Sequence, residues 1–220
     1  MGNQDMAQVI SAVQEKGGAG KTTLLATLAS LMAEDGLKVA VIDTDPQRHL
    51  ETWAEKGKAN IDWLYEEDDE KLIPAVKSLK REEGRYDVIL IDTAGYKSAM
   101  AMHAIAAAEL VLVPSKASEA DARGARRTLS HVQSVAETMN RPIPAVVVMM
   151  DLNPRTIIAK SIAEALHACD TPLLKANLPT RTGFREMTST GKLEGTARES
   201  ARSVLTELQK SGMITRTGGQ

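Results

Sequence analysis

The chain has very little of three things on which many folds and sites depend: cysteine, aromatic side chains and long apolar runs. Its 220 residues include one cysteine, Cys169, which excludes a disulfide framework and any cysteine-rich metal cluster built by one chain. Aromatic residues make up 3% of the sequence, so the core has to be built from Ala, Val, Ile, Leu and the ten methionines. No segment approaches about 18 consecutive apolar residues, and residues 1–8 do not combine a basic start with an apolar run. These absences favour a soluble, cytoplasmic protein.

The apolar residues, 43% of the chain, are gathered in short runs separated by helical patterns. The runs are β-branched and continuous rather than alternating, which is typical of strands covered on both faces. Alternation of strands and helices favours a mostly parallel sheet with right-handed crossovers. We therefore predict one α/β domain over residues 1–220, with a mostly parallel twisted sheet, helices on both faces and a flexible tail from about residue 213. The predicted strands are 9–13, 38–43, 87–92, 109–114, 145–150 and, more weakly, 172–176, and the clearest predicted helices are 21–34, 121–139 and 156–168.

The segment EKGGAGKTTL, residues 15–24, nearly matches the phosphate-binding loop G-x-x-x-x-G-K-[ST]. The first glycine of that pattern is missing, because Glu15 stands five positions before Gly20 and is followed by Lys16. The segment nevertheless follows a predicted strand and opens a predicted helix, which is the context that such a loop needs. A plain glycine turn between strand and helix is the alternative, but it gives no packing reason for the sequence GKTT. We therefore interpret the segment as an altered phosphate-binding loop.

The residues of this loop have distinct predicted roles. Lys21 reaches the β and γ phosphates of a bound nucleotide, the Thr22 hydroxyl ligates Mg²⁺, and Thr23 bonds the α phosphate. The positive end of the helix that begins at Lys21 points at the same anion. Backbone N–H groups turn inward around the phosphate oxygens, and the residues that supply this cradle are Gly17, Gly18, Ala19 and Gly20.

Two further strand ends supply carboxylates. Asp92 closes the apolar strand in VILIDTAG and has the form of a carboxylate that holds Mg²⁺ through water, while Gly95 leaves a backbone N–H for the γ phosphate. The segment VIDTDPQ places Asp43 and Asp45 two residues apart, which suits one carboxylate near Mg²⁺ and one near an attacking water. A cap with Pro46 at the start of the next helix is compatible with that role. Because ligands of open α/β sheets gather at the carboxyl ends of strands, we predict one shared site.

With these residues in view, the sequence resembles the deviant-Walker ATPases of the ParA/MinD family, whose loop reads K-G-G-x-G-K-[ST]-T. In that family Lys16 corresponds to the signature lysine, and the resemblance implies that it reaches across a sandwich dimer to the ATP of the partner. The resemblance also implies ATP and Mg²⁺ as cofactors, and it makes Asp45 the residue that positions or activates water. Independently of the family, a lysine without a local counter-ion adds positive charge where the transition state accumulates negative charge. Glu15 departs from the family pattern, and we expect it to weaken the field of Lys16.

Several branches of this family are alternatives. A MinD-like membrane- or protein-positioning ATPase would carry an amphipathic C-terminal helix, and we interpret the stripe of Val204, Leu205 and Leu208 as core packing instead. Iron–sulfur carriers need paired cysteines, and metabolic ligases or synthetases of the same fold usually lack the early lysine. The sequence is most similar to the small ParA proteins. This similarity implies an ATP-dependent homodimer that is nucleoid-associated when ATP-bound, and slow hydrolysis that a small partner protein stimulates. The cargo would be a plasmid, a transfer complex or a protein assembly.

ParA relatives bind nonspecific DNA through basic residues of the C-terminal third when ATP holds the dimer together. Residues 151–220 carry ten Lys and Arg against seven Asp and Glu, whereas the rest of the chain carries 17 against 22. This difference is compatible with a basic face, which a two-fold axis would double. The four histidines fit no metal or triad spacing and receive no role. The candidate DNA contacts are Arg155, Lys160, Arg181, Arg185 and Lys192, with Arg123, Arg126 and Arg127 as the alternative surface.

Overall fold

The computed structural model of the chain describes residues 6–54, 61–94, 99–153, 156–167, 170–180 and 182–215. Strands and helices alternate along these residues. The strands are β1 (Gln8–Ala12), β2 (Val39–Asp43), β3 (Ile61–Tyr65), β4 (Val88–Asp92), β5 (Leu110–Ser115), β6 (Ala145–Leu152) and β7 (Leu178–Pro179). The helices are α1 (Lys21–Glu34), α2 (His49–Ala54), α3 (Asp69–Arg81), α4 (Ala99–Ala107), α5 (Glu119–Thr138), α6 (Ile157–His167), α7 (Thr182–Thr190) and α8 (Gly195–Lys210).

The described strands form one sheet in the order β3-β2-β4-β1-β5-β6-β7. Neighbouring strands pair in parallel throughout, as the sequence predicts. The register places Asp92 beside Ala12 on one side and beside Asp43 on the other. The two predicted carboxylate positions therefore lie next to each other at the carboxyl edge of the sheet, where the loop after β1 also emerges.

Two helical layers cover the two faces of the sheet, and strand residues alternate between them. Ile10 and Ala12 belong to a core shared with α1, α2, α7 and α8, whereas Val9 and Val13 belong to a core shared with α3, α4, α5 and α6. Both faces of the central strands are buried, which accounts for their continuous apolar sequences. The fold-class prediction is thereby confirmed.

Helix α1 is bounded by glycines at both ends. Gly20 precedes it with φ 102°, and Gly36 follows it with φ 85°, a left-handed conformation that favours glycine. The N–H of Gly36 bonds the carbonyl of Ala33, and the N–H of Leu37 bonds the carbonyl of Met32. This pair of bonds is the Schellman ending that a glycine just beyond a helix permits. The predicted bounds of this helix are confirmed.

Two strand assignments need correction. Strand β3 is not predicted from sequence; it is an edge strand in which Asp62, Trp63 and Leu64 are exposed. It lacks the continuous buried run that identifies the central strands. The predicted strand at 172–176 is wrong, because only Leu173 forms an isolated bridge, with Val147.

The physical reason for the short pairing is a competing acceptor on helix α8. The Glu207 carboxylate accepts from the N–H of Lys175 at 2.9 Å and from the N–H of Ala176 at 2.7 Å. Because the N–H of Leu174 bonds Val147 and alternate N–H groups face the same neighbour, the bond from Ala176 to Glu207 removes the donor that would have continued the pairing with β6. Pairing with β6 resumes only at Leu178–Pro179.

The C-terminal residues pack on the same domain. Val204, Leu205 and Leu208 of α8 are fully buried, so the prediction that this stripe packs in the core is confirmed. Ile214 is also buried, and the Gln8 side chain donates to the carbonyl of Met213 and accepts from the N–H of Thr215. Residues 213–215 thus pack on the domain, and the flexible tail predicted from about residue 213 stays a prediction for residues 216–220, which lie outside the described part of the chain. Among the described helices, none is long and apolar enough to cross a membrane.

Candidate functional site

The loop between β1 and α1 has the geometry of an anion cradle. Gly18 and Gly20 have φ values of 71° and 102°, so the chain takes left-handed turns that side chains disfavour. A Cβ atom on Gly20 would lie 2.8 Å from Cε of Met150, so this backbone also packs closely against β6. Helix α1 starts at the next residue, and its free N–H groups can receive phosphate oxygens.

Lys21 is buried and stands at the centre of the loop. Its Nζ donates to the carbonyl of Gln14 at 3.3 Å, which folds the side chain back across the loop. Burial lowers the pKa of Lys21, while the carboxylates of Asp92 and Asp45 act in the opposite direction. The ammonium group therefore lies within the field of two carboxylates, where it can bind phosphate oxygens.

Thr22 and Asp92 form the pair that the sequence predicts as a metal site. The Thr22 hydroxyl donates to Oδ2 of Asp92 at 2.6 Å. Asp92 is 1% exposed, and its Oδ1 is buried without a hydrogen-bond partner. An unpaired buried carboxylate oxygen is costly and calls for a cation or water. A hydroxyl and a carboxylate are oxygen donors of the kind that Mg²⁺ prefers, so these residues fit that ion.

The pKa of Asp92 is raised to about 7, and burial is the largest cause of this shift. The hydrogen bond from Thr22 and the charge of Lys21 oppose this shift, while Asp43 and Asp45 add to it. A neighbouring divalent cation would stabilise the ionised form. No cluster of three or more His, Cys, Asp or Glu able to hold a metal is found among the described residues.

The two carboxylates after β2 have different surroundings. Asp43 is 1% exposed, and its oxygens accept from the N–H of Asp45 at 2.9 Å and from the N–H of Leu50 at 3.1 Å. It therefore fastens the turn into α2, but the cap predicted with Pro46 at the helix start is wrong, because α2 begins only at His49. Asp45 is half-buried and accepts from the N–H of Gln47 at 2.9 Å. Of the two, Asp45 is the one whose carboxylate is partly exposed beside the phosphate loop.

The signature lysine has a counter-ion within its own chain. Lys16 Nζ donates to Oδ2 of Asp121 at 2.8 Å, with the lysine side chain 49% exposed and the aspartate 3% exposed. The expectation that Lys16 lacks a local counter-ion is therefore wrong. Asp121 is 105 residues away in sequence, and its proximity depends on the parallel placement of β1 and β5. The neighbouring Glu15 instead faces His131, at 3.6 Å between Oε1 and Nδ1.

A cavity of about 470 Å³ extends from the phosphate loop, a volume that suits a nucleoside. Gly18, Gly20 and Thr23 line the end nearest the loop. At the other side Lys116 and Asp151 stand at the ends of β5 and β6, with Nζ and Oδ2 separated by 3.7 Å. These two residues are not predicted from sequence, although their position at the carboxyl ends of strands could have indicated a place in the ligand site. The remaining lining residues are Met150, Leu178, Pro179, Thr180, Thr182 and Phe184.

The candidate DNA contacts do not lie on one helix. Lys160 is on α6, which packs on the α5 side of the sheet, whereas Arg185 is on α7, which packs on the α1 side. Lys192 is exposed in the segment that follows α7. A shared basic surface would therefore have to span the β7 edge of the sheet. Gly95, Arg155 and Arg181 lie outside the described residues.

The sheet order, the phosphate loop and the Thr22–Asp92 pair define a phosphate-loop nucleoside-triphosphatase fold with an early lysine in its loop. More specifically, the chain belongs to the VirC1 family, because the family model described as VirC1 protein matches residues 7–213. The resemblance to the ParA/MinD group is confirmed by its relatives, and the solved structures that it resembles share its fold.

Two relatives and one solved structure illustrate the likeness. The chain is 30% identical over 193 residues to protein virC1 of Rhizobium radiobacter, covering 84% of this chain and 82% of that one. It is 32% identical over 148 residues to protein ParA of Rhizobium radiobacter, covering 66% of this chain and 65% of that one. It is also similar in fold to McdA of Cyanothece in complex with ATP, with a TM-score of 0.78, 17% identity and coverage of 94% and 97%.

Proposed function

We propose that the chain is a single-domain ParA-like ATPase that dimerises with ATP, binds nonspecific DNA in that state, and partitions or positions a cargo. The observation that carries this proposal is the loop in which Lys21 is buried at the phosphate cradle while Lys16 is half-exposed at the surface, paired with Asp121. A lysine in that position can act on the nucleotide of a second chain. The virC1 and ParA relatives support a partition or positioning role.

The chain's own residues divide the work of ATP hydrolysis. The loop backbone and Lys21 hold the phosphates, Thr22 and Asp92 hold Mg²⁺ when it is bound, and the cavity beyond Thr23 receives the nucleoside. The bound cation would supply charge neutralisation between the phosphates. Asp45 orients the attacking water, and Lys16 of the partner adds positive charge as the transition state forms. Hydrolysis therefore requires two chains, and we expect it to be slow until a small partner protein stimulates it.

The Asp45→Ala variant is expected to bind ATP with nearly the parent affinity and to hydrolyse it about 100-fold more slowly, in the range found for removal of one oriented group in an active site. The reason is that Asp45 is half-buried beside the loop but makes no contact that holds the cradle together. The measurement is single-turnover hydrolysis together with nucleotide affinity. Gln47→Ala, two residues away and exposed, is the matched control. A parent rate in Asp45→Ala would reject its role with water.

The DNA-binding step is tested by a salt titration with ATP and again with ADP. We expect binding only with ATP, with log affinity falling linearly against log salt. Each phosphate contact contributes about 0.9 to that slope, so Lys192→Glu or Arg185→Glu would reduce it by about 1.8 in a two-fold dimer. Lys210→Glu, an exposed lysine at the end of α8, is the matched control.

The outcomes of this titration separate the alternatives. If the parent binds no DNA with ATP at any salt, the ParA-like function is rejected in favour of a switch acting on a protein or membrane surface. If the variants bind as the parent does, the contacts lie elsewhere, and the exposed arginines of α5, Arg123, Arg126 and Arg127, are the next surface to change. A metabolic ligase would consume ATP in proportion to a small substrate and without regard to DNA.

A further inference from the structure

One side of helix α5 holds the first residues of the phosphate loop. Three consecutive loop residues each meet a different residue of that helix. The Thr128 hydroxyl lies 3.4 Å from Oε1 of Gln14, His131 Nδ1 lies 3.6 Å from Oε1 of Glu15, and Lys16 Nζ lies 2.8 Å from Oδ2 of Asp121.

The helix residues involved share one face. Asp121, Gly124, Thr128 and His131 are spaced by three, four and three residues, which places them in one row along a helix. We call this row the α5 seat. A Cβ atom at Gly124 would lie 3.0 Å from Oε1 of Gln14, so the loop packs closely against the helix there. The loop start is therefore fixed along the seat, with Lys16 at the Asp121 end.

The surroundings of the Asp121 carboxylate favour a paired cation. Its side chain is 3% exposed and its Oδ1 is buried without a hydrogen-bond partner. Its Oδ2 accepts from both Lys16 and the Ser118 hydroxyl. A buried carboxylate is costly unless it is paired and hydrogen-bonded. Because Lys16 is half-exposed at the same point, its ammonium group can still leave for an acceptor outside the chain.

We propose that Asp121 is a positioning residue that stores Lys16 on its own protomer until dimerisation. This inference rests on the proposed function, in which Lys16 acts on the nucleotide of the partner. To do so, Lys16 exchanges the Asp121 carboxylate for a phosphate oxygen across the interface. The ion pair thereby opposes dimer formation and sets the protein concentration at which two chains pair.

The first test measures the ion pair without nucleotide. Lys16 in Asp121→Asn should be acetylated by acetic anhydride about fivefold faster than in the parent, since loss of a partly exposed pair changes an equilibrium by about that factor. Site-resolved mass spectrometry gives the rate for Lys16 alone. Glu119→Gln is the matched control, because it removes one charge from the same first turn of α5 but contacts Arg123 rather than Lys16. Equal rates in Asp121→Asn and the parent would overturn the proposal.

The second test measures dimerisation by light scattering with a non-hydrolysable ATP analogue. A dimer breaks two such pairs, so Asp121→Asn should lower the dimer dissociation constant by about 25-fold, while Glu119→Gln leaves it unchanged. When Lys16 is also replaced by Ala, Asp121→Asn should no longer lower the dimer dissociation constant. A merely structural role of Asp121 would not produce this dependence on Lys16. Asp121→Ala, if Asp121→Asn folds poorly, should change dimerisation in the same direction. Unchanged or weaker dimerisation of these variants would overturn the proposal.

The two tests also distinguish the storage of Lys16 from the proposed function. If acetylation is faster in Asp121→Asn but neither that variant nor the parent dimerises with the analogue, Asp121 does hold Lys16. The dimer mechanism would then be rejected. If the parent dimerises and Asp121→Asn dimerises less, the proposed function survives and the storage role is rejected.

Discussion

Replacing Lys21 by methionine is expected to lower nucleotide affinity by about 10- to 150-fold, because a hydrogen bond to a charged group contributes about 1.5–3 kcal/mol. Methionine keeps most of the apolar stem but removes the ammonium group, which lies in the field of Asp92 and Asp45. Without that group, two carboxylates face the phosphates with less positive charge between them. The measurement is the affinity for ATP and ADP by titration calorimetry, with Mg²⁺ present.

The same variant should fold at least as well as the parent, which separates loss of binding from loss of structure. Burial lowers the pKa of Lys21, so the charged form pays a desolvation cost in the folded chain. Removing the charge removes that cost, while the bond to the Gln14 carbonyl that is lost is long, at 3.3 Å. Lys38→Met, at an exposed lysine that bonds the carbonyl of Gly84, is the control. Parent-like nucleotide affinity in Lys21→Met would place the phosphate site elsewhere.

The parts of the site that could be predicted from sequence are those made by local geometry. A glycine loop between a buried strand and a helix determines where Lys21 and Thr22 stand, and the last residue of β4 determines where Asp92 stands. Since parallel strands end at one edge, their convergence follows from the strand assignment alone. The Thr22–Asp92 contact at 2.6 Å agrees with that reasoning.

The parts that could not be predicted depend on contacts between distant segments. Asp121 pairs with Lys16 because β5 lies beside β1, and no local pattern in residues 118–124 marks that partnership. Likewise, the Glu207 carboxylate accepts hydrogen bonds from two backbone N–H groups in the segment after β6, and the strand predicted there does not form. The edge strand β3 escapes detection because Asp62 interrupts its apolar residues, and the remaining run, Trp63 to Tyr65, is shorter than the continuous runs of the central strands.

The charge of Asp92 is expected to serve function at the expense of the stability of the folded chain. Burial raises its pKa to about 7 in the folded chain, above the ordinary value of 3.8. The folded state therefore binds this proton more tightly than the unfolded state does. The stability that protonation contributes is fully present below about pH 4 and is lost as the pH rises through about 7. In the absence of nucleotide and Mg²⁺, the ionised carboxylate therefore lowers the stability of the folded chain at pH 8.

Asp92→Asn removes that cost while keeping the shape of the side chain and an oxygen to accept from Thr22. The free energy of unfolding of the variant, relative to that of the parent, should therefore be higher at pH 8 than at pH 4 by about 2–4 kcal/mol. The upper figure corresponds to a shift of about three pKa units. Urea unfolding across that pH range, without Mg²⁺, measures the difference. The same variant should lose the contribution of Mg²⁺ to ATP binding, because the neutral amide is a poor ligand for a hard cation.

Asp43→Asn provides the sharpest contrast, since Asp43 and Asp92 are both 1% exposed and lie in register on adjacent strands. Both oxygens of Asp43 accept from backbone N–H groups, so an amide nitrogen there would face a donor. That substitution should therefore destabilise the chain by about 1–3 kcal/mol, as expected when a buried donor loses its acceptor. If the difference in stability between Asp92→Asn and the parent does not change between pH 4 and pH 8, the Asp92 carboxylate is held as firmly as that of Asp43. An unpaired oxygen awaiting a cation would then be the wrong description of Asp92.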